Sequence, residues 1–217
     1  MNYLKTFAPA VTVLCSVLAM QGCAATYLRA LETIGFEKRE VLVNRIENAR
    51  DEQSSAKDHF ESALDNYRAI VEVEGGELER VYERLERDFE RSEKAAKDVA
   101  DRIDAVRTVA NALFEEWDEE IETYADQDLR RQSQRLYRDT HARYQRVIEA
   151  MERAEQSMQP VLTLLNDRVL FARHNLNALA IDSLHVELGR VEAATEDLIS
   201  EMERAISEAT RFIESMV

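Results

Sequence analysis

The sequence predicts an all-α protein: an elongated antiparallel bundle of about four long helices with coiled-coil packing. Three observations carry this prediction. Apolar residues recur at alternating spacings of four and three along most of the 217-residue chain, the heptad rhythm of helices that bury one stripe against their neighbours. Helix breakers are scarce, with five Gly and two Pro. Charged residues make up 33 % of the chain and aromatics 7 %, a balance suited to long charged helices and poor for a compact α/β enzyme core.

Residues 1–22 differ from all that follows. Lys5 gives a thin positive start, Phe7 to Met20 is an uncharged apolar run, and Gly22 precedes Cys23. The run is short for a membrane-spanning helix and reads as a secretory signal. Leu18-Ala19-Met20-Gln21-Gly22-Cys23 resembles a bacterial lipobox, with Met20 and Gln21 departing from the usual pattern. That resemblance implies cleavage before Cys23, lipidation of its thiol, and a mature chain with a single Cys and no internal disulfide. The competing reading is an uncleaved membrane anchor. Ala24 after the Cys, by resemblance to sorting in Gram-negative lipoproteins, favours the outer membrane. Stable anchoring then needs two or more acyl chains. Residues 23–36 form the lipidated Cys and a short tether, with Gly35 interrupting the stretch from Tyr27 to Phe36.

Residues 37–217 read as one elongated helical-bundle domain. The first helix starts near Glu37, and its seam runs through Leu42, Ile46, Ala49, Gln53, Ala56, Phe60, Ala63 and Tyr67, with Gln53 its polar member. Gly75-Gly76 stops it. The organising helix spans Leu78 to Tyr124, roughly 70 Å at about 1.5 Å per residue. Its seam includes Leu85, Phe89, Ser92, Ala96, Val99, Ile103, Val106 and Ala110, broken by Ser92 alone. Asp126-Gln127-Asp128 supplies a turn and an N-cap. The third seam passes Ser133, Tyr137, Tyr144, Val147, Met151 and Met158 to Pro160, where a kinked continuation is expected. It resumes at Leu162, one residue out of phase, and continues to Leu179. A second phase change is expected at Ile181 to Leu184, opening the last seam through Leu188, Val191, Thr195, Leu198, Met202 and Phe212. Short connections imply alternating directions.

Between Glu155 and Glu187 the chain has neither Glu nor Lys. The stretch 160–181 is apolar on more than one face, so it is either central in the bundle or covered by a partner. Arg173, His174, Asn175 and Asn177 stand inside it. They are the candidate contact residues for a protein partner or ligand. The alternative is that Asn fixes register and Arg pairs with an acidic neighbouring helix.

Glu37 to Arg50, Asp101-Arg102-Ile103-Asp104-Ala105-Val106, Leu113-Phe114-Glu115-Glu116-Trp117 and Val169 to Ala178 resemble an uncharacterised bacterial family of coiled-coil lipoproteins, a domain of unknown function. The resemblance spans nearly the whole mature chain. It implies a Gram-negative source and carries over no catalytic residues.

The formal net charge of −15 makes the chain a poor ligand for nucleic-acid phosphates or anionic lipid surfaces. No glycine lies in a phosphate-binding loop pattern. His174 and His185 are eleven apart and would share a helix face if the helix were unbroken, and Asp182 stands three before His185. A carboxylate di-iron bundle needs two Glu-x-x-His motifs. No catalytic residue, metal or cofactor is therefore expected. The expected role is a structural or protein-interaction lipoprotein, an adaptor held by its N-terminal lipid at the periplasmic face of the outer membrane. It would have a periplasmic protein partner and an oligomeric state the sequence leaves open. The alternative is a periplasmic binding module that holds a peptide, lipid or ion at 160–181.

Overall fold

A computed structural model describes residues 38–71, 78–174 and 178–216; the side chains of Ile70, Leu78 and residues 178–183 are outside the description. The described residues form four helices and no strand: α1 Lys38–Val71, α2 Leu78–Thr123, α3 Gln127–His174 and α4 Ala178–Met216. Each packs chiefly against its chain neighbours, and α4 closes the ring against α1. Contacts between helices run in opposite numerical order. Lys38 meets Glu116 and Glu52 meets Arg102; Lys57 meets Glu203 and Arg68 meets Glu192. The bundle is therefore up-down-up-down, as expected.

The organising helix α2 has 46 residues and α3 has 48, against 34 in α1 and 39 in α4. Lys38 reaches α2 at Glu116, and Arg39 donates from Nη2 to the Met216 carbonyl at 3.1 Å. The last turns of α2 and the first of α3 thus stand beyond α1 and α4 as a two-helix hairpin. Asp126 caps α3: its Oδ1 accepts from the amides of Asp128 at 2.7 Å and Leu129 at 3.2 Å. Trp117 Nε1 donates to Ser133 Oγ at 2.9 Å across the hairpin.

The seams are buried as the heptads require. Ile46, Phe60, Val99, Ile103, Met151, Leu198 and Met202 belong to one continuous core. Of two expectations for the second half of the chain, one is met and one needs correction. First, α3 continues through Pro160 as one helix, and beyond it the seam is shifted by one residue, as expected. Val161 closes the old phase after Met158, and Leu162, Leu165, Val169 and Ala172, all buried, carry the new one. Pro160 is exposed, and the carbonyl it leaves without an amide belongs to Gln156, also an exposed residue. Water can satisfy that carbonyl, so the helix absorbs the proline on its wet side. Second, the boundary between the last two helices precedes Ile181, since α3 ends at His174 and α4 begins at Ala178. The apolar run from Leu176 to Ile181 carried helical spacing across the junction and hid it. The Gly75-Gly76 stop, the tether and the signal lie outside the described residues.

Candidate functional site

Residues 160–174 of the low-charge stretch form the last turns of α3. Val161, Leu162, Leu165, Val169 and Ala172 are buried in the bundle. A second apolar side remains at Leu170, which is 46 % exposed. Arg173 and His174 are exposed in the final turn, where the guanidinium of Arg173 suits the negative end of the helix dipole. Asn175, Asn177 and Cys23 lie outside the described residues.

Arg173 sits near Tyr82 of α2. A hydrogen bond to Glu86 holds the Tyr82 hydroxyl above its ordinary pKa, and the positive charge of Arg173 opposes that rise. The arginine of the stretch that pairs with an acidic neighbour is Arg168. Its Nη2 lies 3.5 Å from Glu187 Oε2 of α4, with both side chains mostly covered. Tyr67 of α1 joins this cluster and donates to the Leu184 carbonyl at 3.2 Å. Burial pushes the Tyr67 hydroxyl up to about 12; Arg168 works against the shift and Glu187 adds to it. The sequence carried a signal for this pair, because Glu187 ends the gap without Glu or Lys in which Arg168 stands.

Upstream, the stretch contributes to a groove of about 350 Å³ between α2 and α3. Phe89, Ala96 and Lys97 line one side, and Leu162, Thr163 and Asn166 line the other. Asn166 precedes Arg173 by seven residues, about 10 Å of helical rise, so groove and exposed end are separate features.

Four polar side chains enter the core: Gln53, Asp88, Ser92 and Thr195. Sequence reading named Gln53, Ser92 and Thr195 on the seams and missed Asp88. Gln53 Nε2 donates across the bundle to the Met151 carbonyl at 3.2 Å, and its Oε1 has no partner. Thr195 returns its hydroxyl to the Val191 carbonyl. Burial raises the Asp88 carboxyl pKa, while a hydrogen bond with Asn66 of α1 and the nearby Arg91, Arg84 and Arg87 oppose the rise. Nothing in the local sequence distinguishes Asp88 from the other acids of α2.

His174 and His185 are both exposed but stand on different helices, so the unbroken face that would align them does not form. Among the described residues, no group of three His, Cys, Asp or Glu is placed to hold a metal ion. His141 stacks on Tyr137 with ring centroids 5.7 Å apart and meets Phe114 edge-on. No helix among the described residues is long and apolar enough to cross a membrane.

These features define an all-α, up-down-up-down bundle with a covered core. A family of proteins of unknown function, DUF2959, matches residues 27–216, and the chain belongs to that family. No curated protein matches the chain.

Proposed function

We propose that the protein is a non-catalytic helical adaptor, lipidated at Cys23 and held at the periplasmic face of the outer membrane. The observation that carries this reading is the pairing of Gly22-Cys23, after an apolar run, with the direction of the bundle. Helix α1 begins at Lys38, fifteen residues after Cys23, and its 34 residues lead away for about 50 Å. The end carrying Arg173 and His174 is the one reached by that run. A lipid tether at Cys23 would therefore present these side chains to a partner well away from the bilayer.

The experiment is fractionation followed by capture. Cys23→Ser should leave an unprocessed precursor or release the protein from membranes; a variant that is processed and sediments as before rules out lipidation. Arg173→Ala with Asn175→Ala should then lose a co-purifying protein from the membrane-anchored form. Retention of every partner defeats the adaptor reading. A second reading, a binding module, is favoured by the groove at Leu162, Thr163 and Asn166. Loss of a bound small molecule, in place of a protein, would support it.

A further inference from the structure

We infer that a groove between α3 and α4 binds a phosphate-type oxyanion through Arg143, Arg146 and Arg211. The groove holds about 300 Å³, against the ~30 Å³ share of a water, and Val147 and Phe212 form its apolar floor. Arg143 and Arg146 come from successive turns of α3, and Arg211 faces them from α4. Glu208, also on the groove, pairs with Arg211 at 2.6 Å and offsets one positive charge. Arg143 and Arg146 form no ion pair among the described residues. Most arginines elsewhere in the bundle have an acidic partner, as Arg68, Arg107, Arg153 and Arg168 do.

The local charge thus runs against that of a chain whose formal net charge is −15. From Gln127 to Ile148, α3 has six Arg and no Glu, with Asp128 and Asp139 its only acids. Guanidinium groups offer planar forks suited to oxyanions. Three of them on two helices exceed the two oxygens of a carboxylate and suit the three or four of a phosphate. The floor of Val147 and Phe212 suits an ester with an apolar portion. Such a phosphate can come from a lipid headgroup or from a small metabolite. The headgroup source rests on the lipid-anchor reading, because the groove lies within about two turns of Met216, which meets Arg39 in the first turn of α1.

The test is calorimetric titration of the purified full chain in neutral detergent at low salt. One arm uses inorganic phosphate, and the other uses micelles doped with phosphatidylglycerol against undoped micelles. Binding in either arm is expected to weaken at least tenfold in R143A/R146A and to fall with added salt. It should be unchanged in R153A, on the same helix. Alanine keeps both positions helical, and circular dichroism checks the fold. Binding to phosphate alone assigns a free anion, and binding to doped micelles alone assigns a lipid headgroup. Either result stands whether or not Cys23 is lipidated. Binding of neither probe overturns the proposal, as does equal binding by R143A/R146A and the parent chain.

Discussion

Asp88 gives the clearest residue-scale consequence. It is 7 % exposed and its Oδ2 has no partner. Burial raises its carboxyl pKa above 3.8, so the folded state holds the proton more tightly than the unfolded chain. The sign follows from linkage: this contribution favours folding at low pH and is lost as pH rises from the unfolded value through the folded one. Asp88→Asn should therefore raise the unfolding temperature at pH 7, while near pH 3, where both states are protonated, the two proteins should nearly coincide. A variant less stable than the parent at pH 7 would mean that the charged carboxylate contributes favourably. Gln53 was legible as the polar member of its seam, since the heptad had already fixed its direction. Asp88 was not, because an acid beside a seam and an acid rotated into it are written alike. Only its packing against Asn66 separates them. The paired Arg168 was hidden similarly: composition located the stretch, but the choice between Arg168 and Arg173 depends on how α4 lies against α3.

At the scale of the helix, burial decides which substitutions matter. Ile103 is 1 % exposed and lies mid-core in α2, whereas Asp101 is exposed and pairs with Lys97. Ile103→Asp should lose about 3–5 kcal/mol of stability, combining a large-to-small core change with an unpaired buried charge. Asp101→Ala should change the unfolding midpoint little. Equal small shifts in denaturant titration would contradict the packed seam. Pro160→Ala restores an amide and removes a ring that clashes with the preceding turn. Proline costs about 3 kcal/mol against Ala in a helix interior, and roughly 1 kcal/mol of that returns through its stiffening of the unfolded chain. A gain of about 1–2 kcal/mol with unchanged helicity is expected, and a loss would mean that the proline relieves strain elsewhere. Helix starts and stops were legible where local chemistry marks them, as at Asp126. The phase change in α3 was legible, since Leu162, Leu165, Val169 and Ala172 are all buried; the burial of Val161 beside them was not.

Across the molecule, unequal helix lengths set a gradient of protection. From Trp117 to Thr123 and from Gln127 to about Ser133, the hairpin has one helical neighbour in place of two. Leu129 in this segment and Leu136 just after it stay about half exposed. Amides of these segments should exchange with solvent faster than those around Val99, Met151 and Met202, through opening that leaves the rest of the bundle intact. Uniform protection along α2 and α3 in hydrogen exchange would show that the hairpin end is covered. The ring order itself was legible from chain order and short connections. The overhang was not, because the start of α1 against α2 is fixed by contacts such as Lys38 with Glu116.

The bond from Arg39 to the Met216 carbonyl joins the first turn of α1 to the last turn of α4. An even number of alternating helices brings these two points to one end, which determines how the bundle bears a load. Tension entering through the chain before Lys38, with the opposing grip near Met216, acts on two adjacent points. It meets the α1–α4 interface from its edge and opens it as a zipper, one turn of contacts at a time and at low force. Tension between Lys38 and the α3–α4 junction runs along the bundle and must slide many layers at once. Force spectroscopy along the two axes should therefore give a low-force opening for the first and a high-force rupture for the second. A protein tethered at one end and gripped at the other would be strong in the direction in which it is pulled.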